Sequence, residues 1–286
     1  MSVSRTSQAV AVTRAGFDRP RSPAGDPQAQ RRLCAGMGSR ALDYMRASLA
    51  ARTRFFDGQV TAAISAGLRQ VVVLGAGYDD RALRFRSPGV TFFELDHPAT
   101  QAGKRARLRV ILAEDAAARG GNDGEVGALG LAGSVARSAA DRLLAPPVLA
   151  AADFTSDDVA GVLAGSGHDP ALPTLFLCEG LLIYLDQAST VRFLASVRGA
   201  AAAGSPLAAS LVTHADGLDS AAVVARGNAR RRTAGAEPWR TILPAAGQSD
   251  LLARAGWRIV RAVDAADLGT GADPGRSLLV TAEPAS

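Results

Sequence analysis

The sequence predicts an α/β protein built on an open, doubly wound sheet of mostly parallel strands. Three observations carry that expectation. Short apolar runs recur along the chain, helical patterns fall between them, and the first run ends in a Gly-Ala-Gly turn. Strands that alternate with helices bury both faces of a parallel sheet, so the strands read as continuous apolar runs rather than as alternating ones.

The elements follow in order. Residues 7–16, SQAVAVTRAG, predict a short helix that DRPRSPAGDP breaks. A longer helical region is expected over 29–68, because Leu42, Met45, Leu49, Phe56, Val60 and Ile64 recur at three, four or seven residues. Gly67 suits the helix C-cap before the first strand at 71–74. A helix at 79–85 leads to a second strand at 90–95, and a helix at 98–113 carries Lys104, Arg105, Arg107 and Arg109. Residues 117–136 read as a loop and 135–144 as a resumed helix. The third strand is expected at 148–151, a helix at 157–164, and the fourth strand at 174–178, ending at Glu179. Then come a helix at 187–201, a turn at Ser205 and Pro206, and a fifth strand at 207–213. A helix at 250–255 closed by Gly256, a sixth strand at 257–263 and a seventh at 277–281 complete the chain. Two regions result: a helical cap over 1–68 and the sheet core over 69–286, with 215–245 as a candidate lid.

Composition bounds the function. The 286 residues carry a net charge of +5, and the one dense basic cluster, RGNARRR at 226–232, has no interleaved aromatics of the kind that bind nucleic acid. Its plain reading is a solvated helix or loop face. Two cysteines, Cys34 and Cys178, and three separated histidines give neither a disulfide framework nor metal-ligand spacing. No apolar run reaches the length of a membrane span, and the N-terminus has no secretory apolar stretch, so a cytoplasmic protein is expected. Oligomeric state is not legible.

The chemistry gathers in RQVVVLGAGYDDRALRFRSPGVTFFELDHP. Gly75, Ala76 and Gly77 follow the first strand, where glycines let the backbone turn and approach a ligand. Asp80 stands where a dinucleotide fingerprint wants a third glycine. Unpaired carboxylates at Asp79 and Asp80 would repel a pyrophosphate at that helix start; the alternative is that they cap the helix. A nucleoside cofactor without phosphate fits, and S-adenosyl-L-methionine is one. At the end of the second strand, Asp96 is the preferred acceptor for ribose hydroxyls and Glu94 the second choice. Asp153 and Phe154 offer an acceptor and an apolar face for adenine, or else a helix cap.

These motifs, with TRAG, LFLCEGLLIYLD and LLARAGWRIV, resemble the leucine carboxyl methyltransferase family of class I S-adenosylmethionine-dependent methyltransferases, and within it a large bacterial branch of mostly unknown substrates. The resemblance implies a Rossmann-like, seven-stranded, mostly parallel sheet with a reversed C-terminal strand and helical additions near the site. It implies S-adenosyl-L-methionine as cofactor and S-adenosyl-L-homocysteine as product. By position, Arg14 and Arg54 match the family's arginines for the methionine carboxylate, a group that a guanidinium clamps through parallel hydrogen bonds. Gly75 and Gly77 match its turn, Asp96 its ribose acid, and Asp153 with Phe154 its adenine-side pair. Glu179 and Tyr184 match an E-x-x-x-x-Y pattern. Glu179 is then a partner for the methionine ammonium, or alternatively for a structural arginine. Tyr184 closes over the methyl group or orients the acceptor, or is a core ring. The segment between the second and third strands and the basic cluster depart from the family pattern, which leaves the acceptor open.

Methyl transfer to a carboxylate needs no general base, because the acceptor is already ionised. A hydroxyl acceptor would need one, and His214, after the fifth strand, is the candidate. The expected partner is a small-molecule acid or hydroxylated metabolite. A protein carboxyl terminus, an NAD-dependent oxidoreductase and a non-catalytic binding protein stand as alternatives. The bias to Ala, Gly and Arg resembles GC-rich actinobacterial genomes, whose enzymes of this kind tailor natural products.

Overall fold

A computed structural model describes residues 4–38, 45–120, 145–232, 237–273 and 275–285. Seven strands form one sheet in the order β3-β2-β1-β4-β5-β7-β6. They are β1 (Gln70–Leu74), β2 (Thr91–Asp96), β3 (Val148–Ala151), β4 (Thr174–Cys178), β5 (Leu207–Val212), β6 (Trp257–Asp264) and β7 (Ser277–Pro284). The first five pair in parallel, and β7 runs antiparallel to both β5 and β6. The reversed C-terminal strand is therefore present.

The central strands are apolar on both faces because both faces are covered. Along β1, Val72 and Leu74 join Phe93, Phe176, Leu194 and Trp257 on one side, whereas Val71 and Val73 join Phe55, Phe56, Val60 and Leu175 on the other. This is the two-residue alternation of a strand buried between layers.

The helices are α1 (Arg5–Arg14), α2 (Ala29–Cys34), α3 (Arg46–Ser65), α4 (Arg81–Arg84), α5 (Pro98–Gly120), α6 (Val159–Gly165), α7 (Gln187–Gly199), α8 (Ser220–Arg232) and α9 (Ala245–Arg254). Side chains set several starts: Ser4 accepts from Ser7 N, Asp158 from Gly161 N and Asp186 from Ser189 N. Gly67, at φ +94°, ends α3, and Leu68 N reaches back to Ala63 O at 3.0 Å.

Some expected elements change. The region 29–68 is not one helix: α2 stops at Cys34, and α3 begins at Arg46. Leu42 lies outside the described residues, as does most of the expected loop at 117–136 and all of the expected helix at 135–144. α5 is longer than expected and carries 117–120 within it. The helix after the glycine turn shrinks to four residues, Arg81–Arg84. Asp80 stands at its N-cap and Asp79 Oδ1 accepts from Arg81 N at 2.8 Å, while both side chains also meet arginines.

Strand order reverses between β1 and β4, the position at which open α/β sheets form a crevice beyond their carboxyl ends. Gly75 follows β1, Asp96 ends β2 and Glu179 follows β4, so the register of the sheet brings these three chain positions to one edge.

Candidate functional site

The turn after β1 holds Gly75 at φ +67° and Gly77 at φ +49°. A Cβ on Gly75 would stand 3.3 Å from the Leu181 side chain, and one on Gly77 would stand 2.9 Å from Ser7 Cβ. Both positions therefore require glycine for conformation and for space. Ala76 between them is buried, and its N–H donates to Leu95 O at 3.0 Å. Helix α1 lies directly over the turn.

Asp96 is tied to this turn. Its Oδ2 accepts from Gly77 N and its Oδ1 from His97 N at 2.7 Å. Burial raises the carboxyl, and the two N–H donors oppose that rise. Each oxygen keeps a lone pair for another donor. Glu94 does not share this role. It is fully buried, its Oε2 stands 2.6 Å from Lys104 Nζ, and Lys104 also donates to Asp79 O at 2.7 Å. Burial pushes the Glu94 carboxyl up to about 7 against the pull of Lys104. Its expected ribose contact is corrected to an internal ion pair.

Glu179 takes the second of its two expected environments, a pairing with arginines of the chain itself. Arg14 Nη2 stands 2.8 Å from Oε1, Arg81 Nη1 2.8 Å from Oε2 and Arg52 Nε 3.3 Å from Oε1. Burial alone would raise this carboxyl, but Arg14, Arg81 and Arg52 outweigh it and hold it well below the usual carboxylate range. The carboxylate is thus matched by guanidinium groups of the chain itself.

The network continues inward. Arg14 and Arg81 meet Asp79, Arg81 and Arg19 meet Asp57, and Arg19 and Arg84 meet Asp80. Burial would raise Asp80, yet Arg19 and Arg84 hold it down to about 2. The expectation of unpaired carboxylates at Asp79 and Asp80 is therefore corrected, and the repulsion argument against a pyrophosphate loses its premise. What remains against a dinucleotide is the filled third-glycine position, where the Asp80 side chain is fully buried.

Arg54 does not reach the crevice. It is exposed, donates to Leu268 O at 2.6 Å and lines a cavity of about 690 Å³ between residues 16–20 and the outer side of α3. Arg52 reaches the crevice instead, with its guanidinium beside Gly180 and no hydrogen bond from Nη1 or Nη2 among the described residues. The signal was in the sequence. Arg52 is three residues after Leu49 and four before Phe56, on the buried stripe of α3, whereas Arg54 falls off it.

Asp153 Oδ1 accepts from Thr155 N at 2.9 Å and from Thr155 Oγ1 at 2.6 Å, so it shapes the turn after β3. Those hydrogen bonds lower its carboxyl. Phe154 is buried in the core, packed edge-on to Phe193 with ring centroids 5.0 Å apart, and lines a cavity of about 230 Å³ beside Arg192 and Ser196. The expected open apolar face is corrected to a core ring.

Tyr184 is half-buried in a 3-10 turn after β4, with Thr6 of α1 alongside. Burial raises its hydroxyl, and Arg231 opposes that. His214 is buried, with Nδ1 2.8 Å from Ala215 O and Nε2 2.8 Å from Ser220 Oγ. A carbonyl only accepts, so Nδ1 carries the proton and Nε2 accepts from the serine. Through these two contacts His214 ties Ala215 to Ser220 at the start of α8. Sequence reasoning also missed Asp57, Arg19, Arg81, Arg84 and Lys104, whose charges in isolation resemble surface residues.

A model of the leucine carboxyl methyltransferase family matches residues 9–198. Proteins of Frankia alni and Streptomyces avermitilis, provisionally named S-adenosyl-L-methionine-dependent methyltransferases, are 36% identical over 167 residues and 34% over 165. These matches cover 58% and 57% of this chain and 48% of each relative, so the chain spans about half the length of the curated relatives it matches. Among solved structures, a DUF574 family protein of Streptomyces avermitilis matches over 99% of this chain and 98% of its own, with a TM-score of 0.60 at 16% identity. The magnesium protoporphyrin IX methyltransferase of Synechocystis, solved with bound SAH, covers 89% and 92%, with a TM-score of 0.51 at 11% identity. At these identities the structures speak for the fold alone.

Proposed function

The chain belongs to the leucine carboxyl methyltransferase family, and we propose that it is an S-adenosyl-L-methionine-dependent O-methyltransferase acting on a small-molecule carboxylate or hydroxyl. The carrying observation is the meeting of the Gly75–Gly77 turn, Asp96 and the Glu179–Arg52 pair at the edge where strand order reverses.

The residues present fit the cofactor by their donor set. Asp96 keeps lone pairs for ribose hydroxyls, and the Gly75–Gly77 turn, packed against Leu181 and Ser7 too closely for a Cβ, supplies the N–H that holds Asp96. Arg52, with Nη1 and Nη2 uncommitted among the described residues, takes the role for the methionine carboxylate that the family resemblance implied for Arg54. Arg14 reaches the same crevice and holds Glu179 ionised beside it. Asp153 stands at the end of the neighbouring strand for the adenine side. When bound, S-adenosyl-L-methionine supplies a sulfonium methyl for in-line transfer and leaves as S-adenosyl-L-homocysteine.

The chain's own part is alignment and exclusion of water. Helix α1 covers the turn through Ser7, and Tyr184 flanks the approach beside Thr6. A carboxylate acceptor is already ionised and needs no base, and in this reading His214 serves to tie Ala215 to Ser220. The helices before β1 act as a cap and 215–245 as a lid over the acceptor. No helix of the described residues is long and apolar enough to cross a membrane. We place the protein in the cytoplasm and in secondary metabolism, on the composition and on the actinobacterial relatives.

Calorimetry with S-adenosyl-L-methionine, S-adenosyl-L-homocysteine and NAD tests this reading. Binding of the first two without NAD is expected. Binding of NAD alone would overturn the assignment and favour the oxidoreductase alternative. Transfer of label from S-adenosyl-L-methionine to a panel of small acids and alcohols, but not to peptides ending in a free carboxylate, is the expected acceptor profile.

A further inference from the structure

The end of α8 carries a cation that the charge network does not absorb. Arg231 Nε donates to Glu237 O at 2.9 Å, and Nη2 lies 3.5 Å from the Tyr184 hydroxyl. Its guanidinium carbon stands 4.6 Å from the Trp239 ring centroid and 5.9 Å from that of Tyr184. Among the described residues no carboxylate pairs with it. Glu237 contributes its backbone carbonyl, while its carboxylate acts on the Tyr184 hydroxyl.

This placement is built, not incidental. Asn228 Nδ2 donates to Trp239 O, and Trp239 N donates to Asn228 Oδ1, both at 2.8 Å. A Cβ on Gly227 would meet the Trp239 ring at 2.6 Å, so the indole lies in a slot that only glycine leaves open. Gly227 and Asn228 thus fix Trp239, and Trp239 and Tyr184 flank Arg231. A guanidinium held beside aromatic rings and tied through Nε to a backbone carbonyl keeps its remaining donors for an oxyanion and has surrendered part of its rotamer freedom beforehand. Nη1 makes no hydrogen bond among the described residues.

We infer that Arg231 is a specificity-determining residue that binds an anionic oxygen group of the methyl acceptor, with Trp239 and Asn228 as its positioning residues. The inference rests on the methyltransferase reading, because it places the acceptor at Tyr184. The two remain separable: failure to bind S-adenosyl-L-homocysteine sinks the reading, whereas normal binding of it with no anion selectivity sinks only the role of Arg231.

The chain has two tryptophans, and Trp257 is buried against Leu194, so fluorescence changes on ligand binding report on Trp239. We would titrate benzoate, and benzamide as its neutral counterpart, into the protein saturated with S-adenosyl-L-homocysteine. Benzoate should give a saturable change that benzamide does not. Arg231→Gln should abolish it, Arg231→Lys should weaken it about tenfold by losing the planar fork, and Gly227→Ala should weaken it by displacing the indole. Trp239→Phe should remove the signal, while calorimetry still detects benzoate. Unfolding midpoints of the variants separate misfolding from lost binding, and Arg231→Lys, the mildest change, decides the case if Arg231→Gln unfolds. Equal responses to benzoate and benzamide, no response to either, or unchanged benzoate affinity in folded Arg231→Gln overturns the inference.

Discussion

Arg14 and Glu179 are 165 positions apart in the chain and 2.8 Å apart in space. The pair fastens the N-terminal helix to the end of β4, and Asp79 adds a second carboxylate within 3.3 Å of the same guanidinium. Breaking one member of a buried ion cluster leaves the others uncompensated. Glu179→Ala should therefore destabilise the protein by about 3–5 kcal/mol, because Arg14 and Arg81 lose their shared acceptor. Urea unfolding measures it; a loss of the size typical of an exposed pair, under about 1 kcal/mol, would contradict the buried network.

Arg52 and Arg54 offer a direct contrast on one helix. Arg52→Ala should weaken S-adenosyl-L-homocysteine binding by about tenfold or more, the value of a charge-assisted contact at ~1.4 kcal/mol or above. Arg54→Ala should leave it nearly unchanged, since that side chain bonds Leu268 O. Calorimetry on both variants decides it, and a larger loss in Arg54→Ala would restore the assignment that sequence position suggested.

Glu94 predicts an unusual slope of stability with pH. Its folded pKa, about 7, lies above its ordinary 4.5, so the folded state holds the proton more tightly. Stability from this group is present below the ordinary value and is lost as pH rises through about 7. Asp80, held down to about 2 from 3.8, works in the opposite sense: its contribution is present above 3.8 and is lost as pH falls toward 2. Glu94→Gln should flatten the decline on the neutral side and leave the acid limb intact. Identical slopes for the variant and the wild type in a pH series of urea midpoints would contradict this.

Gly77→Ala tests the seat of α1. The residue sits at φ +49°, and a Cβ there would stand 2.9 Å from Ser7 Cβ. Strain of about 1–2 kcal/mol is expected from the left-handed backbone alone. Further cost should come from lifting α1, which ought to speed proteolysis near Arg5–Arg14. Equal cleavage rates in variant and wild type would show that α1 does not rest on the turn.

His214→Gln should shift stability rather than any pH profile of methyl transfer. Both ring nitrogens already serve Ala215 and Ser220. Loss of a pKa from the activity profile in this variant would show that His214 acts as a base.

Much of this was legible in the chain. Apolar runs located the central strands β1 and β4, because a strand buried on both faces has no polar side to hide it. The glycine turn and Asp96 were legible because they are local: a turn needs its glycines, and the carboxylate that accepts from Gly77 N ends the next strand. Helix periodicity also bore on the choice between Arg52 and Arg54, since Arg52 stands three residues after buried Leu49 and four before buried Phe56, whereas Arg54 is exposed.

The sequence by itself determined the order of the sheet elements, the turn and the family motifs, all of which depend on residues near one another. Only the tertiary structure decided how the charges pair. Glu94 and Asp96 are two residues apart, yet one is sealed with Lys104 and the other stays at the turn. Asp57, Asp79, Asp80 and Glu179 find Arg14, Arg19, Arg52, Arg81 and Arg84 from separate elements. An ion pair's worth depends on burial and separation, and both are set where α1, α3 and the strand ends pack together.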